Sequence, residues 1–187
     1  MKFLALALAL VAAPALADTC SLQKLAACKN SNQFFWSAGA KRARPKTEFA
    51  DALAKFLEGA PKLYVGKTGF SVAEIARESL TGPGDHHDRL PDGGWFFDGF
   101  TPHDAPDRGA VFFDADGNIT AVALLNSDTD APSVDFSSTV QLRFYAGPTV
   151  TRDQRKLTHD WAARDHGGIK ATILMRNGDE WVSTSRP

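Results

Sequence analysis

The chain has 187 residues, of which 43% are hydrophobic and 10% aromatic, enough to form a hydrophobic core in one domain. Its formal net charge of −1, with no basic face predicted near the aromatic residues, argues against a nucleic-acid-binding protein. Beyond the N-terminal run, no apolar stretch approaches the length that spans a membrane.

Residues 1–17 have the pattern of a signal peptide. Lys2 precedes an apolar run that is too short to cross a bilayer, and Ala15-Leu16-Ala17 supplies a small-x-small cleavage pattern. Cleavage would leave 170 residues with 20 basic and 22 acidic side chains, a formal net charge of −2. We therefore expect a single domain over residues 18–187 that is periplasmic or secreted and has no membrane attachment after cleavage.

Cys20 and Cys28 are the two cysteines of the chain, and export would place them where oxidation is favoured. In one continuous helix they would lie about 12 Å apart, beyond the roughly 7 Å between Cα atoms that a disulfide allows. Either the chain bends between them and a disulfide forms, or the helix is continuous and both thiols are free. We favour the disulfide, and the spacing matches no zinc site.

The first half of the chain predicts two helices joined by a short strand. Thr47 begins an amphipathic helix whose apolar stripe includes Phe49 and Leu53, and Lys62–Val65 reads as a strand. Ser71 begins a second helix with a capping box to Glu74. The stretch that follows, as far as Gly94, is rich in Gly, Pro and Asp and is predicted to be a loop.

The second half predicts consecutive strands and one further helix. Strands are expected at Gly94–Phe100, Ala110–Phe113, Ile119–Leu125, Thr139–Tyr145, Ile169–Arg176 and Glu180–Thr184, with a helix that begins at Thr151 in a capping box with Gln154. In Thr139–Tyr145, the apolar Val140, Leu142 and Phe144 alternate with Gln141, Arg143 and Tyr145, which predicts a half-buried strand with the second set on its polar side. Asn177-Gly178 predicts a type I′ hairpin. The fold class is therefore α+β, with a mainly antiparallel sheet and helices packed on one face.

The connection between the strands at 94–100 and 110–113 is too long for a plain hairpin. We call residues 100–107 the finger and predict that they form a binding loop: Phe100, Thr101, Pro102, His103, Asp104, Ala105, Pro106 and Asp107. Because the two prolines fix φ and remove hydrogen-bond donors, the finger should project stiffly from the sheet and present His103 and Asp104.

Aspartates are concentrated around the finger. Eight of them lie between Asp85 and Asp116, against Arg89 and Arg108, a local charge of −6. One interpretation is an acidic end that attracts a basic partner. The other is that turn-forming residues gather where turns occur. The sequence does not separate the two.

The finger resembles the loop of the Ivy family, periplasmic inhibitors of vertebrate lysozyme. That family carries Cys-Lys-Pro-His-Asp-Cys between two antiparallel strands, where this chain has Phe100-Thr-Pro-His-Asp-Ala105, and the similarity covers residues 94–125. In the family the loop histidine enters the lysozyme cleft and engages the catalytic carboxylates. The resemblance implies that His103 has this role, with Pro102 and Asp104 shaping the loop. Phe100 and Ala105 replace the family's cysteines, so no disulfide closes this finger.

Other interpretations of the same residues stay open. The residues alone favour a histidine that simply hydrogen-bonds the neighbouring aspartate, whereas the strand context favours the inhibitory role. Asp85-His-His-Asp88 has the chemistry of metal ligands, but its adjacent side chains rarely bind one ion, which makes a metal-dependent hydrolase the weaker alternative. An immunity-type protein against another peptidoglycan hydrolase would use the same finger.

We predict a binding protein without catalytic residues, metal or cofactor. Its expected function is inhibition of lysozyme or of another peptidoglycan-cleaving enzyme through Pro102-His103-Asp104. No nucleic acid is expected among its partners, and the oligomeric state is not predicted.

Overall fold

Three α-helices, two short 3-10 helices and nine β-strands make up the part of the chain that the structure describes. The structure is a computed structural model and describes residues 20–36, 47–102, 107–132, 140–165, 169–178 and 180–184. The helices are α1 (Glu48–Phe56), α2 (Val72–Glu78) and α3 (Arg152–Asp165), with 3-10 helices at Leu22–Ala27 and Ser31–Phe34. The strands are β1 (Leu63–Val65), β2 (Thr68–Phe70), β3 (Gly82–Arg89), β4 (Trp95–Phe100), β5 (Arg108–Phe113), β6 (Ile119–Asn126), β7 (Gln141–Ala146), β8 (Lys170–Asn177) and β9 (Glu180–Thr184). The predicted signal peptide lies outside these ranges.

Strands β3 to β9 form one seven-stranded sheet in which they follow each other in chain order. Every neighbouring pair is antiparallel except β7 and β8, which are parallel. A parallel pair needs a crossover connection, and α3 provides it. The predicted α+β class with a mainly antiparallel sheet is confirmed.

Both faces of this sheet are buried. On the first face, Phe97, Val111 and Val122 join a core with α1, α2 and the 3-10 helices. On the second face, Phe96 and Phe112 pack with Trp161 and Ala162 of α3. The prediction that the helices pack on one face is therefore wrong, since adjacent phenylalanines on β4 and β5 point to opposite faces and both need cover.

Burial of both faces also corrects the prediction of a half-buried strand at 139–145. Arg143 and Tyr145 were expected on its polar side, yet their exposed fractions are 2% and 1%. Leu142 and Phe144 belong to the core of the second face, and Tyr145 belongs to the core of the first. Strand β7 is buried on both sides because a core covers each face of the sheet, while its two edges pair with β6 and β8.

Strand β3 occupies the stretch that was predicted to be a loop. Residues Gly82–Arg89 pair with β4, with an irregularity in register between Pro83 and His87. Proline is tolerated there because β3 is at the edge of the sheet. Gly84 lies so close to the backbone of Asp98 that a side chain would clash with it. Pairing with β4 thus overrides the loop-like composition of this segment.

The disulfide and the capping boxes are confirmed, whereas Thr47 precedes α1 without a side-chain capping hydrogen bond. Cys20 and Cys28 form a disulfide with their Cα atoms 4.5 Å apart, and the non-helical dihedral angles of Lys24 supply the required bend. Both capping boxes form, between Ser71 and Glu74 and between Thr151 and Gln154.

A small two-stranded sheet, which the sequence predicted only in part, lies beside the main sheet. Strand β1 was expected, but its partner β2 was not. The hairpin is joined to the segment after β6, because Tyr64 and Thr129 exchange backbone hydrogen bonds of 2.9 and 3.0 Å. Among the described residues, no helix has both the length and the apolar character needed to cross a membrane.

Candidate functional site

The finger begins and ends on a hydrogen-bonded pair of strands. Phe100 of β4 faces Arg108 of β5 as the last pair of the ladder, and the N–H of Thr101 then donates to the carbonyl oxygen of Asp107 at 2.9 Å. We call these four residues the finger root. They bring the two ends of the finger together.

The structure places only part of the predicted finger. Phe100 is 41% exposed at the end of the sheet, and Pro102 is also exposed. His103, Asp104, Ala105 and Pro106 lie outside the described residues. The role predicted for these four residues therefore stays a prediction, whereas the finger root is described by the structure.

A buried carboxylate, that of Asp98, holds the finger root in place through hydrogen bonds. Asp98 is fully buried and accepts hydrogen bonds from Arg108 Nη2 at 2.8 Å, from Trp161 Nε1 at 3.0 Å and from the backbone N–H of His86 at 2.8 Å. The guanidinium of Arg108 also lies over the ring of Trp161, 5.4 Å from its centre. A buried charge is tolerated only when it is paired and hydrogen-bonded. These contacts tie β3, β4, β5 and α3 together at the point where the finger leaves the sheet.

Two glycines allow close packing on the opposite side of the root. A Cβ atom on Gly99 would come within 2.6 Å of Ser31 Oγ, and one on Gly109 within 2.9 Å of Ser79 Cβ. Both distances are too short for real Cβ contacts, so glycine is required. The end of α2 and the second 3-10 helix therefore press directly against the root.

The clustered aspartates have several different roles. Asp92 accepts from the N–H of Gly94 at 2.9 Å, and Asp114 accepts from the N–H groups of Asp116 and Asn118 at 3.0 and 2.8 Å. These two residues form turns, as one of the two interpretations held, and Asp98 is buried. At least three of the eight aspartates therefore have structural roles, and Asp98 does not reach the surface.

The histidines of β3 are directed to different neighbours. His86 Nδ1 lies 3.0 Å from Asp88 Oδ2 and its Nε2 contacts Arg164 Nη1. Because arginine can only donate, Nε2 accepts and the proton is on Nδ1. His87 points to the other face, beside the ring of Phe97. Among the described residues, no group of three or more His, Cys, Asp or Glu side chains is placed to hold a metal ion.

A second buried charge lies further along the same end of the sheet. Arg143 donates to Asn126 Oδ1 at 2.8 Å, to the carbonyl oxygen of Asp128 at 2.6 Å and to Asp130 Oδ1 at 3.2 Å. This network holds the segment after β6 against β7. Burial raises the pKa of the neighbouring Tyr145 phenol well above its usual range.

An open groove lies at the foot of the finger, on the first face of the sheet. We call it the acidic groove; it has a volume of about 140 Å³ and is lined in part by Thr101 and Asp107 of the finger root. Val65, Phe70 and Ile75 supply apolar lining, and Glu74, Glu78 and Asp128 supply carboxyl groups. The sequence did not predict this groove because its residues come from β1, β2, α2 and two separate loops.

Comparisons with protein-family models, curated proteins and solved structures find no match to this chain. The resemblance of residues 94–125 to the Ivy family therefore stays a prediction from the finger sequence.

Proposed function

We propose that this protein is a periplasmic or secreted inhibitor of lysozyme that blocks the enzyme's cleft with Pro102-His103-Asp104. The observation that carries the proposal is the finger root. Its backbone hydrogen bond between Thr101 and Asp107 is next in sequence to Arg108, which donates to the buried Asp98. Because Thr101 and Asp107 are already held together, the root itself needs no further ordering on binding, and this favours association.

The chemistry of imidazole suits the proposed target. Retaining glycosidases hold two carboxyl groups about 5–5.5 Å apart, one protonated and one ionised. Neutral imidazole has a donor and an acceptor on opposite sides of a small ring, and the protonated form has two donors. His103 can therefore hydrogen-bond both carboxyl groups in a cleft from which water has been displaced.

The exposed surface at the root adds an apolar contact. Phe100 stands where the resembled family has the first cysteine of its loop, and its side chain is 41% exposed. Aromatic side chains supply much of the binding energy in protein interfaces. Phe100 would thus contact the rim of the cleft that His103 enters.

The test is inhibition of lysozyme in a turbidity assay of cell-wall lysis. We expect His103→Ala to weaken inhibition by about 30-fold, the effect of losing one interfacial hot spot of about 2 kcal/mol. His159→Ala is the matched control, because the side chain of His159 is 72% exposed on α3. It should inhibit as the unchanged protein does.

Three outcomes separate the alternatives. Equal inhibition by His103→Ala and the unchanged protein removes the histidine from the mechanism. Absence of inhibition by the unchanged protein rejects lysozyme as the target and directs the assay to other peptidoglycan hydrolases. Loss of inhibition in His159→Ala as well would show that the finger is not the determinant.

A further inference from the structure

The acidic groove combines an apolar floor with negative charge. Glu74 and Glu78 are one turn apart on α2, and both are exposed along the groove. Like charges at this spacing repel each other. Hydrogen bonds from Ser71 lower the pKa of the Glu74 carboxyl, so this group stays ionised. No lysine or arginine is among the described residues that line the groove.

A buried hydroxyl in the lining lacks a partner. Ser79 is 1% exposed, lines the groove, and its Oγ has no hydrogen-bond partner within the described part of the chain. Buried polar atoms are nearly always hydrogen-bonded, so Ser79 Oγ is a candidate partner for a group that enters the groove. This observation is independent of the charge on α2.

The two features together specify the chemistry of an occupant. The carboxylates of Glu74 and Glu78 accept hydrogen bonds only, and Ser79 Oγ can accept as well. An arginine or lysine side chain offers donors at its end and an aliphatic stem that packs on apolar surface. Val65 and Phe70, which are 45% and 36% exposed, provide that surface.

We propose that the acidic groove binds an arginine or lysine side chain of the partner enzyme, next to the cleft that the finger enters. This inference rests on the proposed function and extends it. Thr101 and Asp107 line the groove and also belong to the finger root, so one partner surface reaches both. The partner is therefore an enzyme that carries a basic side chain beside its catalytic cleft.

The first test measures binding of a vertebrate lysozyme by calorimetry or interferometry. Glu78→Gln removes one groove charge and Ser79→Ala removes the unpaired hydroxyl. We expect each to weaken binding about three- to fivefold. Glu58→Gln is the control, because it makes the same change in net charge as Glu78→Gln but Glu58 lies near Trp181 of β9 and not at the groove. The affinity of this variant for lysozyme should be unchanged. Denaturant unfolding of all three variants excludes loss of folding as the cause.

Equal affinities for Glu78→Gln, Ser79→Ala and Glu58→Gln would overturn the groove proposal while leaving inhibition by the finger intact. If the unchanged protein binds no lysozyme at all, the proposed function fails, and a second measurement then decides the groove.

That second measurement titrates the free protein with acetyl-arginine-amide and follows backbone amide signals by NMR. We expect shifts confined to residues around Ser79 and Thr101, absent with the uncharged citrulline analogue and reduced in Glu78→Gln. Equal shifts with arginine and citrulline derivatives, or none at tens of millimolar, would reject a basic occupant.

Discussion

Asp98 shows how one buried side chain organises the candidate site. A carboxylate without solvent is unfavourable by several kcal/mol unless donors surround it, and Arg108, Trp161 and the His86 N–H supply three. The three donors come from β5, α3 and β3. Asp98 thus joins four elements, β3, β4, β5 and α3, at the point where the finger begins.

Replacement of Asp98 by alanine should lower the free energy of unfolding by about 3–5 kcal/mol, because it removes the fully buried acceptor that Arg108, Trp161 and the His86 N–H share. Denaturant unfolding measures the change. Asp116→Asn, on the exposed turn after β5, is the control and should stay within about 0.5 kcal/mol. A loss of less than 1 kcal/mol in Asp98→Ala would mean that the network does not hold the root.

For single residues, the sequence predicted the contacts between neighbours along the chain but not those between distant residues. The disulfide and both capping boxes depend on neighbours in sequence and were predicted correctly. Asp98 was counted with seven other aspartates, and Arg143 was placed on a polar face, because each is satisfied by partners distant along the chain. A lone aspartate within the apolar run Trp95–Phe100 was the available signal for a buried carboxylate.

Among the elements, β3 is the clearest case of a strand whose composition predicts a loop. Gly82, Pro83 and Gly84 are typical of loops, yet β4 supplies a pairing edge and Gly84 fits where a side chain would clash with Asp98. Strands β4, β5 and β6 were predictable because their apolar runs are ended by turn residues. Strand propensity measures fit to neighbours, which a single segment does not reveal.

The disulfide makes a separate contribution to the N-terminal segment. It closes a loop with a sequence separation of 8, for which the chain-entropy relation gives about 2.5 kcal/mol. Reduction should therefore lower the free energy of unfolding by about that amount, measured with and without reductant. The Cys20→Ser/Cys28→Ser variant should show the lower stability in both conditions. A reductant effect that persists in this variant would contradict the assignment.

At the scale of the whole molecule, one sheet separates two apolar cores. Phe97 belongs to the core with α1 and α2, and Phe112 to the core with α3. The sheet backbone is common to both, so loss of packing on one face should release the other. The sequence predicted the sheet but not its second covered face, because the contact of α3 with β4 to β7 is formed at long range.

We expect Phe97→Ala and Phe112→Ala each to reduce the free energy of unfolding by about 3–5 kcal/mol, as large core truncations do. Both variants should still unfold in one transition, with far-UV and near-UV circular dichroism coinciding. Two separated transitions in either variant would show that the faces are independent units.

The parallel pair β7–β8 has a consequence for the order in which the chain acquires its shape. Strands β3 to β6 succeed one another through connections of five to seven residues, so their pairings are mostly local. Strand β8 can join only after the chain has travelled the length of α3 and returned in the same direction. Closing so long a connection has an entropic cost, and this slows the pairing of β8 with β7. Strands β3 to β6 therefore pair early in folding, and the C-terminal hairpin of β8 and β9 completes the sheet late.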